Sequence, residues 1–171
     1  MKAFIAIAIL FWGTLSSATA EEAMTFERLA EIAIALDPDA EIHERALRLK
    51  INDIQVTVVT DAARDRMRAM IPIRSLDGIN QQDLYRMLQA NFDSALDARY
   101  AIGQGFIISV FIHPLSPLQK DQFIEGLGQV VNLALTYGTA YTSGAITYGG
   151  GDSRELHRKL IDDLLKKVEQ I

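Results

Sequence analysis

The apolar positions of this chain follow two periods, and together they predict an α+β protein. After Thr25, a suitable N-cap, apolar residues recur at helical spacing until Pro38 interrupts the pattern. Three stretches, residues 47–51, 54–58 and 67–73, then alternate apolar with polar side chains. Strict alternation is typical of strands with one buried and one solvated face. The first part of the chain therefore predicts a helix followed by three strands.

The middle of the chain predicts a second helix and a hairpin. The helix begins near Asn80, and four of its apolar residues are expected to face inward: Leu84, Met87, Leu88 and Phe92. Two extended stretches, 99–102 and 106–112, flank the turn Gly103-Gln104-Gly105, and Asn52-Asp53 predicts a similar tight turn earlier in the chain. Because the run 106–112 does not alternate, we expect it to be covered on both faces, in part by a partner.

Two further helices complete the order of elements. Ser116 is expected to cap the first, with Pro117 at its first position, Gln119 completing a capping box and Gly138 ending it. A last amphipathic helix begins near Asp152. The order α-βββ-α-ββ-α plus a C-terminal helix predicts an antiparallel five-stranded sheet with helices packed on it, in a single domain over residues 21–171.

The first twenty residues have the features of a signal peptide. Lys2 precedes thirteen almost entirely apolar residues, and small residues then lead to Ala20. Thirteen residues of helix span only about 20 Å, less than the roughly 30 Å of a bilayer core, which argues against a membrane anchor. We expect cleavage between Ala20 and Glu21 and a mature protein in the bacterial periplasm or the medium, with no stable membrane insertion after cleavage.

Composition narrows the possible functions. The 171 residues include 17 Lys and Arg, 22 Asp and Glu, and no cysteine. The acidic balance argues against nucleic acid as a partner, because that binding needs a basic surface. The lack of cysteine excludes a disulfide framework, a thiolate metal site and a cysteine nucleophile.

No motif in the chain indicates catalysis, and the sequence predicts neither a catalytic residue nor a cofactor nor a metal. The histidines, His43, His113 and His157, lie far apart without a metal-binding spacing. The acidic run around Pro38 is interpreted as a helix stop, since a calcium loop needs more ligands and a glycine. The glycines 149–151 are interpreted as a hinge, because no Walker lysine follows them.

Five basic residues on the predicted strands have two interpretations. They would bind an acidic partner or an anionic surface, or they would form a solvated face that prevents aggregation, and nearby aspartates favour the second. The five are Arg48, Lys50, Arg66, Arg68 and Arg74.

Charge is distributed very unevenly along the chain. Residues 100–151, 52 in all, carry only three formal charges, whereas the 79 residues 21–99 carry 25. Part of the poorly charged half must be core, and the rest is predicted to contact a second molecule. The candidate partner surface is Tyr137, Tyr141, Ile146 and Tyr148. The alternative is a peptide tucked across the protein's own sheet.

This layout resembles that of the type III secretion chaperones and, within that fold, the YbjN-type sensory-transduction regulators of bacteria. The resemblance covers residues 25–138 and is carried by the order of elements and by residues 84–138, which begin LYRMLQANF and end NLALTYG. It implies a protein-binding, chaperone-like module that is commonly homodimeric and has no known chemistry. The signal peptide departs from that pattern, since secretion chaperones work in the cytoplasm.

Three functional hypotheses follow. The favoured one is an exported, non-enzymatic binding module, a homodimer that recognises an unidentified polypeptide. The second is a carrier or sensor of a small apolar ligand held under the helices. The third is an enzyme, which would require the scattered histidines and carboxylates to converge in one pocket.

Overall fold

The computed structural model describes residues 22–141, 143 and 154–169, and this part of the chain contains four α-helices and six strands. The helices are α1 (Phe26–Leu36), α2 (Gln81–Asp93), α3 (Lys120–Leu135) and α4 (Arg154–Val168). The strands are β1 (Glu41–His43), β2 (Ala46–Ile51), β3 (Ile54–Asp61), β4 (Arg66–Ser75), β5 (Arg99–Gly103) and β6 (Phe106–His113). None of the helices in the described residues is both long enough and apolar enough to span a bilayer.

The strands form one antiparallel sheet in the order β1-β2-β3-β4-β6-β5, which confirms the predicted α+β class. The predicted tight turns join β2 to β3 and β5 to β6. Asn52, Asp53, Gln104 and Gly105 all have positive φ, the conformation that two-residue hairpin turns require. The predicted strand count of five was wrong. The sixth strand, β1, has three exposed residues, so no hydrophobic period marks it and only its pairing with β2 defines it.

Pro72 lies within β4, where it is tolerated for two reasons. The pairing of β4 with β3 extends only from Arg66 to Met70, so the missing N–H of Pro72 leaves no hydrogen bond of that ladder unmade. On the other side its register with β6 shifts between Pro72 and Arg74. A proline is expected at an edge or a strand end, and the structure puts Pro72 beyond the end of the pairing between β3 and β4.

One face of the sheet carries the core. Leu47, Val58, Ala69 and Phe111 stand opposite one another across four strands, and all four are buried. Helices α1 and α3 pack on the sheet, and α4 packs on both of these helices. The contact of α3 with β6 is close because Gly126 has no side chain; a Cβ there would lie 2.5 Å from the Phe111 ring.

The start of α3 differs from the prediction. Gln119 is the N-cap, and it forms a reciprocal capping box with Gln122. Ser116 instead binds Asp65, which accepts hydrogen bonds from its backbone N–H at 2.6 Å and from its hydroxyl at 3.0 Å. The Ser-Pro pattern is typical of a helix start. In the structure, however, Ser116 forms its hydrogen bonds with Asp65, 51 positions away in the sequence, and the helix begins at Lys120, three residues after Pro117.

Helix α2 covers the outer edge of β5. The Asn91 side chain accepts a hydrogen bond from the Tyr100 N–H at 2.7 Å and donates one to the Tyr100 carbonyl at 3.0 Å, as a neighbouring strand would. Met87 and Ala90 are buried. The prediction that Leu88 and Phe92 face inward was wrong, since they are 64% and 90% exposed.

Candidate functional site: an open sheet face and an apolar helix stripe

The sheet face opposite α1 and α3 is solvated and is called the open face below. The run 106–112 was expected to be covered on both sides, but burial alternates along β6, with Ile107, Ser109 and Phe111 buried. The intervening side chains point to the open face and are only partly buried or exposed, Ile112 being 53% exposed. The absence of alternation in the sequence therefore marks a strand whose second face is apolar but not covered by the described chain.

Register shows which side chains share the open face. One row across the sheet contains Ala46, Val59, Arg68 and Ile112, each directly opposite the next. The neighbouring row contains Arg48, Thr57, Met70, Val110 and Arg99. The open face is thus apolar on β6 and the adjoining part of β4, and basic on β2 and the rest of β4.

Arginines also surround a depression of about 650 Å³ at one end of the open face. Its lining includes Arg45, Arg64, Arg66 and Arg68 but only two carboxylates, those of Glu44 and Asp61. Arg64 is engaged, because it donates a 2.8 Å hydrogen bond to Asp61 and thereby holds the pKa of that carboxyl below its usual value. An anionic group is the natural complement of the remaining charge.

A second exposed apolar surface lies on α2. Tyr85, Leu88 and Phe92 form a stripe along the helix, named here the α2 stripe, and each side chain is more than 60% exposed. Beside the stripe, a groove of about 240 Å³ runs between α2 and β5, lined by residues that include Leu88, Asn91 and Ile102. No titratable side chain other than Tyr100 lines this groove. The stripe and the groove are therefore almost neutral, in contrast to the open face.

Two of the four predicted surface residues lie in a tyrosine cluster inside the chain. Tyr137 and Tyr141 pack edge-on against Tyr100 with ring centroids 6.2 and 5.9 Å away, and Tyr141 is 8% exposed. Burial raises the pKa of Tyr100 and of Tyr141, and the Tyr100 hydroxyl donates to the Leu133 carbonyl.

The chain that follows α3 is held by hydrogen bonds to the loop after α2. The Ser94 hydroxyl donates to the Tyr141 carbonyl, and the Ser143 hydroxyl accepts from the Leu96 N–H, both at 2.6 Å. Tyr137 and Tyr141, the described part of the predicted partner surface, therefore pack against other residues of the same chain. Ile146 and Tyr148 lie outside the described residues, as do Ala20 and Glu21 at the predicted cleavage site, so these predictions stay predictions.

The groups that would support catalysis are dispersed in the described chain. His43 is exposed, 3.8 Å from Glu41, while His113 stacks on Phe111 with its Nδ1 2.8 Å from the Pro114 carbonyl oxygen. The side chain of His157 lies outside the described residues. Within those residues, no three histidines or carboxylates come together as a metal site would require.

Sequence reasoning missed the α2 stripe, although a signal was present. The apolar residues of α2 are too many for one face, since Leu84 and Met87 point to the core while Tyr85, Leu88 and Phe92 continue around the helix. The apolar side chains of α2 thus cover more of the helix circumference than packing on the core requires. The additional apolar side chains indicate a second packing surface on the helix.

Comparison with known proteins identifies the fold. The chain is similar to a solved structure of the HopA1–SchA chaperone–effector complex, with 12% identity and a TM-score of 0.50 over 64% of this chain and 91% of that one. It is also similar to the Yersinia pestis type III secretion chaperone SycH, solved with a stable fragment of YscM2, with 22% identity and a TM-score of 0.50 over 64% of this chain and 96% of that one. No protein-family model and no curated protein matches the chain. The described chain therefore has the fold of the type III secretion chaperones.

Proposed function

We propose that this protein is an exported, non-enzymatic, chaperone-like module that binds a polypeptide and acts as a homodimer. The observation that carries the proposal is the apolar part of the open face, which the described chain leaves in contact with solvent. The fold is that of proteins solved as complexes with an effector and with a fragment of YscM2, which supports a polypeptide as the ligand. We further propose kinship with the YbjN-type regulators, on the layout of residues 25–138.

A small apolar ligand is a weaker alternative. The apolar groove between α2 and β5 holds about 240 Å³, less than the roughly 300–1,000 Å³ of typical ligand pockets. The open face is instead broad and shallow, which suits an extended or helical segment of another chain.

Polypeptide binding is tested with an unfolded probe. Reduced, carboxymethylated α-lactalbumin should bind the mature protein in a fluorescence anisotropy titration, while native α-lactalbumin should not. Ile112→Asp should weaken the binding, because it puts a charge among the apolar side chains of the open face. Lys159→Asp, on the exposed side of α4, is the control and should leave it unchanged. Equal binding of both forms of the probe, or of neither, would contradict the proposal.

We assign self-association to the α2 stripe. A two-fold interface brings identical patches together, so a neutral, apolar stripe is self-complementary, whereas a strongly basic patch would repel its own copy. The groove beside Leu88 could receive the exposed Phe92 side chain of a second copy.

The dimer is tested by sedimentation velocity on the mature protein. We expect a dimer for the wild type, a monomer for Phe92→Glu, and a dimer for Gln55→Glu, which adds the same charge at an exposed position of β3, away from α2. A wild type that stays monomeric at its highest soluble concentration, or a Phe92→Glu variant that stays dimeric, would rule out this interface.

Export is tested by fractionation and intact mass. The protein should appear in the periplasm or the medium with Glu21 as its first residue, and Ala20→Asp should leave the leader attached, because signal peptidase requires a small residue there. A cytoplasmic full-length chain would contradict the proposal.

A further inference from the structure

The open face carries several basic side chains, and the described chain leaves some of them without a carboxylate partner. Register places Arg48, Lys50, Arg66 and Arg68 there, whereas Arg74 lies beyond the β4 bulge and donates to the Ser75 and Asp77 carbonyls. Arg48 has Glu41 at 3.6 Å as an ion-pair partner. Within the described chain, the guanidinium of Arg68 forms no hydrogen bond or salt bridge, and that of Arg66 donates only to the neighbouring Asp65 carbonyl oxygen.

Arg68 stands beside apolar side chains of the open face, whereas Arg66 lies directly opposite Asp61 of β3. Arg68 lies directly between Val59 and Ile112 in one row of the sheet, and Met70 follows it two residues along the same face of β4. Neighbouring strands are about 4.8 Å apart, so a ligand touching Arg68 also touches apolar side chains on both flanking strands. A merely solvated face would not need this alternation of exposed Val, Arg and Ile across the sheet.

The charge pattern argues against a second copy as the occupant. A two-fold pairing of two open faces centred on Arg66 and Arg68 would bring these charges of both copies together, and like charges at an interface are unfavourable. The chain as a whole is acidic, with 17 basic against 22 acidic residues. A local basic surface on such a chain attracts an acidic partner to this face and orients it there.

We propose that the open face binds an acidic polypeptide segment that also carries apolar side chains. Its carboxylates lie on Arg66 and Arg68, and its apolar side chains pack on Val59, Met70 and Ile112. The planar guanidinium holds a carboxylate through two parallel hydrogen bonds, and the apolar contacts supply the desolvated surroundings that strengthen them. This inference rests on the proposed polypeptide-binding function and names the class of polypeptide.

Selection from a random peptide library measures the preference for acidic and apolar peptides directly, because peptides of all compositions compete for the open face. Displayed dodecapeptides are selected on the mature wild-type protein, on Arg66→Glu/Arg68→Glu, and on Arg158→Glu/Lys159→Glu. The last variant changes the net charge equally but at exposed positions of α4. The wild type should enrich peptides rich in both Asp or Glu and large apolar residues, and so should the α4 variant.

Affinities of the enriched peptides complete the test. Arg66→Glu/Arg68→Glu should weaken them by about tenfold or more, and the α4 variant by less than about twofold, because only the former removes the paired charges. Added NaCl should weaken wild-type binding, since exposed ion pairs are screened. Arg66→Gln/Arg68→Gln, which removes charge without adding repulsion, should also lose the acidic preference.

Other outcomes separate the inference from the function on which it rests. Enriched peptides without an acidic preference, or an acidic preference that survives Arg66→Glu/Arg68→Glu, would overturn the inference and leave polypeptide binding intact. Failure to enrich any peptide would overturn both. Binding of phosphatidylglycerol vesicles that depends on Arg66 and Arg68, without peptide enrichment, would show that the face recognises an anionic surface and would overturn the inference.

Discussion

At the scale of single residues, the molecule depends on a few side chains whose partners are distant in the sequence. Asn91 completes the edge of β5, Asp65 holds Ser116, and Gln129 accepts hydrogen bonds from the N–H groups of Asp97 and Ala98 at 2.7 and 3.0 Å. No local sequence pattern distinguishes any of these polar side chains, because the residues around each of them do not indicate a partner elsewhere in the chain. The residues that local patterns did identify, such as Thr25 as the cap of α1, bond within their own turn.

Gly126 gives the sharpest test at this scale. Gly126→Ala should destabilise the protein by about 1–2 kcal/mol, since overpacking against the Phe111 ring costs up to about 3 kcal/mol and the better helix propensity of alanine offsets up to about 1 kcal/mol. The measurement is the free energy of unfolding from urea denaturation. Glu125→Ala, at an exposed position of the same helix, should change it by less than about 0.5 kcal/mol. A Gly126→Ala variant as stable as the wild type would show that Phe111 moves aside at no cost.

At the scale of elements, the loop before β4 is tied to the loop before α3. The Asp65 carboxylate accepts two hydrogen bonds from Ser116, and the Asp65 carbonyl accepts one from the Leu115 N–H at 3.2 Å. The hydrogen bond from the Ser116 N–H is the main reason that the pKa of Asp65 lies below its usual value of 3.8. The two loops are 51 residues apart, so this tie helps to fix where α3 begins.

The lowered pKa predicts a pH dependence with a definite sign. A carboxyl group with a lower pKa in the folded state stabilises that state at pH values above 3.8, and the contribution is lost as the pH falls through the folded-state pKa. The difference in Tm between the wild type and Asp65→Asn should therefore be largest near neutral pH and shrink below about pH 4. Asn tolerates the positive φ of position 65, so the backbone is preserved.

Asp162→Asn, at an exposed position of α4, serves as the control for this pH series. The Tm difference of Asp65→Asn is compared with that of this variant at each pH. A difference between the wild type and Asp65→Asn that stays constant down to about pH 2 would show that the carboxylate does not stabilise the fold.

At the scale of the whole molecule, α4 forms a third layer over α1 and α3. Leu160, Ile161, Leu164 and Val168 are buried, the Lys167 ammonium donates to the Leu36 carbonyl at the end of α1, and Lys120 donates to the Val168 carbonyl at the end of α4. This arrangement explains the scarcity of charge in α3, because that helix lies between the sheet and α4. The apolar surface available to partners is found instead on β6 and α2.

The third layer predicts that α4 is an integral part of the fold. Leu164→Ala should lower the free energy of unfolding by about 2–5 kcal/mol, the usual cost of truncating a buried leucine. Lys159→Ala, exposed on the same helix, should leave it nearly unchanged. Urea denaturation again measures both variants, and a negligible effect of Leu164→Ala would mean that α4 is only loosely attached.

The amino-acid sequence by itself determined the order of the helices and of five of the six strands, the two hairpin turns and the fold class. These features follow from hydrophobic period and turn chemistry, which act between residues near each other in the chain. Only the tertiary structure decided that β1 joins the sheet, that Leu88 and Phe92 point outward, and that Arg68 stands between Val59 and Ile112. Strand register and helix docking bring together residues that are far apart in the sequence, and no local pattern records which face of an element will find a partner.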